Sequence, residues 1–394
     1  MELRYANRVK GMNSSVVRET LKLTAQPGII SFAGGMPAPE VFPVEEMRVA
    51  ADKVFRSAGA QALQYSTTEG YLPLRQKIAK RLNEIENISC TADDILMING
   101  SQQALDLSGK LFLNPDDVVI CENPTYTAAL SSFGSYECKF LSIESDEDGM
   151  LPEDLEAKLA SCDRARLIYV IPTFQNPTGR TWSLERRKAL LSLASKYNLP
   201  IVEDNPYGEL RYEGVPVPSL KSMDTEGRVI YLGTFSKILS PGVRLGWIVA
   251  EPGLLAKYNT AKQCADLQAS TVMQYVVNQY LEDNDINKNI RHLNSVYVKR
   301  RDLMMSLVAS EFPSGTKCSH PDGCLFLWVE VPEHIDTALV MKQVVSYNVA
   351  YIPGHSFFAN GGPTNTLRLN YSNASPEKIT DGIKLLGKAL KAVM

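Results

Sequence analysis

Between about residue 92 and residue 250 the chain alternates short apolar runs with helical stretches, and this alternation leaves few folds open. The runs are Ile95–Ile98, Val118–Cys121, Leu167–Ile171, Pro200–Glu203 and Val229–Leu232. Helical patterning fills several of the gaps, at Ala104–Phe112, Pro152–Leu159 and Ser183–Tyr197. The order predicts an α/β fold, a mostly parallel sheet with helices on both faces. Ligands of such sheets bind beyond the carboxyl ends of the strands. The residues just after each run are therefore the informative ones.

Gly100-Ser101-Gln102-Gln103 follows the first run and opens a helix, whose free N–H groups and dipole suit a phosphate. Glu122 to Tyr126 follows the second and offers an aromatic ring. The third leads into Phe174-Gln175-Asn176-Pro177-Thr178-Gly179, where the Asn176 amide can point into a cleft. Asp204-Asn205-Pro206-Tyr207 follows the fourth. The fifth ends in the small-residue turn Gly233-Thr234-Phe235-Ser236 with Lys237 directly behind it, and Ser240-Pro241-Gly242 then delivers Arg244. An amine, two hydroxyls and a guanidinium at a sheet mouth can take a phosphorylated carbonyl compound, the amine as an imine and the others on the phosphate. Together, the five positions match what pyridoxal 5′-phosphate needs. The lysine needs a lowered pKa, which burial and nearby cations favour. A carboxylate pairs with the protonated pyridine nitrogen, and Asn and Tyr hydrogen-bond the ring oxygen.

The flanking segments are less regular. Residues 1–30 read as an arm with one amphipathic helix, Ser14 to Leu23, carrying Arg18 either on a solvated face or toward a ligand. Gly34-Gly35 and three prolines then exclude regular structure; a Gly pair marks a tight turn or a close approach of backbone to ligand. Val44–Ser57 is helical by pattern, and the loop after it holds Tyr65. From about 285 the pattern changes to a charged helix, Ile290–Ser306, then strand-like segments and a closing helix, Pro376–Val393, which predicts a smaller α+β domain. Arg368 alternates with Leu367 and Leu369, so it faces away from their side; a strand Arg is usually a solvated edge residue. The expected division is an arm over 1–45 that packs with the small domain, a large domain over 46–285 and the small domain over 286–394.

Several function classes are excluded by composition. A net charge of −3 gives no sequence-wide case for nucleic acid or an anionic membrane. No apolar run reaches the ~18 residues of a spanning helix, and the first residues lack the apolar stretch of a signal peptide. The 7 cysteines are scattered without a CxxC pair, which fits reduced thiols in the cytoplasm. The 4 histidines show no metal-ligand spacing, so no metal is expected.

NPTG at 176–179, DNPY at 204–207, and SK followed by PGVR at 236–244 occur in an order and approximate spacing that resemble the fold-type I pyridoxal-phosphate aminotransferases of the aspartate-aminotransferase superfamily. The resemblance covers nearly the whole chain. It implies Lys237 as the Schiff-base lysine and proton shuttle and Asp204 on the pyridine nitrogen. Tyr207 and Asn176 would contact the ring oxygen, and Tyr126 would stack on the ring. Ser101, Gln102, Thr234, Ser236 and Arg244 would form the phosphate cup, and Arg368 would clamp the substrate α-carboxylate. Asn176 and Gly35 would also touch substrate, and Tyr65 would reach the partner subunit's phosphate in a homodimer. SSVVRETLKL, PGIISFAGGMPAPEVFP and LQYSTTEGYLPLR resemble the 2-aminoadipate and kynurenine aminotransferases, in which an arginine matching Arg18 contacts the distal substrate carboxylate. The implied reaction is amino transfer from an amino acid (2-aminoadipate, glutamate, aromatic or branched-chain) to a 2-oxo acid such as 2-oxoglutarate. Lyases, racemases and decarboxylases share the scaffold. So do the effector domains of certain transcription regulators, but those carry an N-terminal winged helix, and here the motifs begin too early for one.

Overall fold

The computed structural model describes residues 3–12, 28–344 and 347–392. Its main sheet has eight strands: β2 (Ile95–Ile98), β3 (Val118–Asn123), β4 (Lys139–Asp146), β5 (Gly149–Met150), β6 (Ala165–Val170), β7 (Ile201–Asp204), β8 (Val229–Thr234) and β9 (Gly246–Val249). Their spatial order is β2-β9-β8-β7-β6-β3-β4-β5. Strands β8, β7, β6, β3 and β4 run parallel, whereas β9 is antiparallel to both neighbours. Strand alternation explains the continuous apolar runs. In β6, Leu167 and Tyr169 join the core on one face, while Ile168 and Val170 join the core on the other. A sheet buried on both faces needs apolar residues at every position.

All five predicted runs are strands, Ile95–Ile98 with the expected bounds and the other four with one or both edges shifted by one or two residues. Three strands of this sheet escaped prediction, one of them the two-residue β5. Strand β4 is only half-buried and mixes polar residues into its length, so it lacks the apolar run used as the signal. Strand β9 is four residues long and directly follows the Arg244 turn. The first predicted intervening helix begins at Ser101, three residues before the expected start, because Gly100 turns the chain straight off β2 into Ser101–Phe112.

A second sheet has the order β10-β11-β14-β13 and is antiparallel throughout: β10 (Lys317–Cys318), β11 (Phe326–Glu330), β13 (Ile352–Pro353) and β14 (Thr366–Asn370). Helices Ile286–Glu311 and Pro376–Lys391 pack together beside it. Strand β1 (Ile30–Ser31) pairs with β12 (Val349–Ala350), and Asn370 N donates to Phe32 O at 2.8 Å. The segment after the arm is thus stitched to the last third of the chain. Arg368 is not at an edge. It lies on β14 between β11 and β13, opposite Trp328 and Ile352, and is 2% exposed.

Candidate active site

The carboxyl ends of β2, β3, β6, β7 and β8 converge on one cavity of about 480 Å³. At one end of the cavity, Gly100 turns with φ +76° into helix Ser101–Phe112 and offers no side-chain cap, so the first N–H groups face outward. Arg244 reaches this turn from a left-handed backbone (φ 52°) after the single turn Pro241–Val243. Its guanidinium donates to Asn99 O at 3.1 Å. A Cβ on Gly100 would sit 2.4 Å from Arg244 Nη2, which explains the glycine. Opposite, Thr234 Oγ1 donates to Ser236 Oγ at 2.9 Å and accepts from Ser236 N at 3.1 Å. With Ser101 and Gln102, these groups form a cup of N–H, hydroxyl and guanidinium donors. Such a cup suits a phosphate.

In the middle of the cavity stands Asp204, 2% exposed. Its Oδ2 accepts from the Tyr169 hydroxyl at 3.1 Å, and Oδ1 is buried with no partner among the described residues. Burial pushes its carboxyl up to about 7. An ionised, half-satisfied carboxylate in a dry site calls for a cationic donor, and a protonated pyridine nitrogen is one. Tyr126 and Ile171 line the same space. Burial also holds the Tyr207 phenol well above its usual range, hence neutral. Asn176 Nδ2 lies 3.4 Å from that phenol.

Lys237 Nζ donates to Gly35 O at 2.7 Å. Burial pushes its ammonium down to about 8, with the Arg368 and Arg244 guanidiniums adding to the effect. A usable share of neutral amine therefore exists near neutral pH. Arg368 donates to Asn176 Oδ1 at 2.7 Å and to Ala33 O at 2.8 Å, and its buried Nε has no partner among the described residues. Its guanidinium lies between the Phe326 and Phe357 rings, 4.1 Å and 4.9 Å from their centroids. Among the described residues no carboxylate pairs with Arg368. A buried, uncompensated cation facing a cavity is a receptor for a carboxylate.

Gly35, Ser101, Gln102, Tyr126, Asn176, Asp204, Tyr207, Thr234, Ser236, Lys237, Arg244 and Arg368 all line this cavity. Tyr65 does not. It is 80% exposed beside a separate open depression with Gln268, Ser270 and Thr271. Arg18 and its helix lie outside the described residues. Sequence reasoning missed Tyr169, which sits within a run that reads only as core, and the Phe326–Phe357 clamp on Arg368. Phe326 opens β11 and Phe357 ends the turn after β13, and only the pairing within the second sheet brings both rings onto Arg368.

The sheet, its lysine and its buried aspartate, with an arginine from the second sheet in the same cavity, define the fold-type I pyridoxal-phosphate class. The model of the family described as aminotransferase class I and II matches residues 29–386, and the chain belongs to that family. Aromatic-amino-acid aminotransferase 1 of Thermococcus litoralis is 46% identical over 394 residues, covering 99% of this chain and 94% of that protein. The 2-aminoadipate transaminase of Thermus thermophilus is 41% identical over 386 residues, 97% of this chain and 95% of its own. The crystal structure of Pyrococcus horikoshii kynurenine aminotransferase, in complex with PMP and kynurenine, superposes with a TM-score of 0.94 at 43% identity, covering 98% of this chain and 97% of that one.

Proposed function

We propose that this aminotransferase acts on aromatic amino acids and 2-aminoadipate with 2-oxoglutarate as acceptor, and that the cavity residues divide the work as follows. Pyridoxal 5′-phosphate is the cofactor, and when bound it supplies a carbonyl carbon that carries the amino group and a ring that withdraws electrons. Ser101, Gln102, Thr234, Ser236 and Arg244 hold its phosphate. Asp204 keeps a proton on the ring nitrogen, Asn176 and Tyr207 hold the ring oxygen, and Tyr126 covers a ring face. Lys237 anchors the cofactor and moves a proton at the substrate α-carbon. Arg368 takes the α-carboxylate, and Gly35, on the covering loop, touches substrate. The single observation that carries this assignment is one cavity with a half-buried amine, an unpartnered acid oxygen and an uncompensated guanidinium. The amino donors named for the relatives support the substrate choice.

A panel of amino donors assayed with and without 2-oxoglutarate tests the reading. Aromatic donors and 2-aminoadipate should be consumed only when the acceptor is present; consumption without it would point to lyase, racemase or decarboxylase chemistry. Losing a charge-assisted bidentate contact in a desolvated site costs about 2–5 kcal/mol, roughly 30- to several-thousand-fold in kcat/KM. Arg368→Ala is expected to lower every substrate by such a factor. We assign Arg18 to the second carboxylate of dicarboxylic donors, so Arg18→Ala should depress 2-aminoadipate and glutamate and leave aromatic donors within a few-fold. Uniform loss would make Arg18 structural.

We infer a homodimer from Tyr65. It is exposed beside Leu63, which is 72% exposed, and neither serves the cavity of its own chain. We assign Tyr65 to the partner subunit's phosphate. Sedimentation should give a dimer, and Tyr65→Phe should weaken cofactor retention in it. The 7 free cysteines fit a reducing compartment, and we place the protein in the cytoplasm. We divide the chain into an arm to residue 45, a large domain to 285 and a small domain beyond.

A further inference from the structure

The DNPY segment supplies Asp204 and Tyr207 to the cavity, yet Asn205 between them turns its side chain away from it. That side chain is fully engaged. Its Oδ1 accepts from Gly208 N at 3.0 Å, closing a local turn around Pro206 and Tyr207. Its Nδ2 donates to the Tyr231 hydroxyl at 2.9 Å and reaches Glu86 Oε1 at 3.3 Å. The backbone N of Asn205 donates to Leu232 O at 3.0 Å, one step beyond the paired Asp204 and Leu232. The turn is also tightly fitted, since a Cβ on Gly208 would sit 2.6 Å from Asn205 Oδ1.

The far side of this contact is itself specialised. Glu86 ends a π-helical turn, Leu82–Glu86, and the next residue, Asn87, is left-handed with φ 53°. Widened turns of this kind are rare and concentrate near functional sites. Here the turn delivers a carboxylate to the back of the sheet mouth. Glu86, Asn205, Tyr231 and Thr234 border a small second cavity of about 30 Å³, with the indole of Trp247. Trp247 Nε1 is buried and has no partner among the described residues. A space of that size among these polar neighbours has room for one or two waters. The second cavity therefore backs onto the first, and Thr234 and Pro206 line both.

We propose that Asn205 is a positioning residue for the transamination site: braced by Tyr231 and Glu86, it sets the angle of Asp204 and the reach of Tyr207. This rests on the reading above that Asp204 and Tyr207 contact the cofactor. The physical reason is leverage. Asp204 has one oxygen tied to Tyr169 and one free, so its orientation is decided by the backbone on either side. On the side toward Tyr207, that backbone is held by Asn205. Displacements of about 1 Å at a reacting centre reach on the order of 10²-fold in rate.

The test compares Asn205→Ala, Tyr231→Phe, Glu86→Leu and Glu86→Gln with wild type. Each is loaded to full cofactor occupancy and checked for Tm. Three quantities are read: the visible absorbance maximum of the bound cofactor and its apparent pKa, the cofactor Kd, and kcat apart from KM. Asn205→Ala should move the band and lower kcat by roughly 10- to 100-fold, with KM for the 2-oxo acid within about threefold. Tyr231→Phe and Glu86→Leu, each removing one acceptor, should move the band less and in the same direction. Glu86→Gln keeps an acceptor oxygen and should restore the wild-type band. An unmoved band with kcat within twofold in Asn205→Ala overturns the proposal, and so does a fall in kcat without a moved band. Should Asn205→Ala not fold, wild-type behaviour of both Tyr231→Phe and Glu86→Leu overturns it instead. Asp204→Asn serves as control. If that variant leaves the band in place, the site assignment itself is wrong and the brace falls with it. If it moves the band while the Asn205 series does not, only the brace is wrong.

Discussion

Borohydride treatment of the cofactor-loaded protein is expected to leave the label on Lys237, and Lys237→Ala is expected to abolish turnover while the protein stays folded. The site explains both results. Lys237 comes three residues after the fully buried strand β8, behind the short turn Phe235-Ser236, so its stem starts close to the end of the sheet. Its amine is pushed down to about 8, chiefly by burial, which leaves enough neutral form to attack a carbonyl near neutral pH. Alanine removes the covalent anchor and the proton carrier together. A positioned acid–base group alone contributes about 10²–10⁴-fold, so residual activity should fall below detection in an ordinary coupled assay. Folding should survive, because the Lys237 amine makes a hydrogen bond to Gly35 O and no ion pair among the described residues. Peptide mapping decides the matter: a label on any other lysine refutes the assignment. Lys237→Arg is a useful companion, since it keeps the charge and removes the titratable amine. It should be as inactive as Lys237→Ala.

How much of this was legible beforehand depended on where each residue's partners lie. The strand-end residues could be read because the sheet rule turns sequence position into spatial position. Any residue just past a buried run, such as Asn176 after β6 or Lys237 after β8, must emerge at the same mouth. Arg368 could be placed by alternation opposite Leu367 and Leu369, but the sequence does not say what covers that face. The structure covers it with Phe326, Phe357 and the cavity, so Arg368 is buried rather than solvated as a strand arginine usually is. Tyr169 was invisible for the opposite reason. Its ring belongs to the core and only its hydroxyl serves Asp204, so the apolar pattern concealed it. Strand β4 failed because it is half-buried, and the contact of Gly35 O with Lys237 spans a separation of 202 residues. Local chemistry could be read, but long-range packing against it could not.

Asp204 should show the second large effect, and pH gives it a signature that simple loss of activity would not. With burial raising its carboxyl from 3.8 to about 7, holding Asp204 ionised in the unloaded fold costs about 4 kcal/mol at ~1.4 kcal/mol per pH unit. The sign follows from linkage. A raised pKa favours the folded state at pH below the unfolded value, and that advantage is lost as pH rises through about 7. Unloaded protein should therefore carry the full penalty at pH 8 and less at pH 6. A cationic ring nitrogen beside the free Oδ1 offsets the penalty, so the Tm gain on cofactor binding should be larger at pH 8 than at pH 6. Asp204→Asn carries no charge and should flatten that difference. Glu86 and Glu122 are also pushed up to about 7, chiefly by burial, and they add a pH slope of the same sign. They are present in both proteins, so comparing wild type with Asp204→Asn isolates Asp204. In turnover, Asp204→Asn and Asp204→Ala should each lose at least 10²-fold at full occupancy, as expected when a preorganised charge is removed from a dry site. Activity within tenfold of wild type, or an unchanged pH dependence of the Tm gain in Asp204→Asn, would show that this carboxylate does not hold the ring nitrogen.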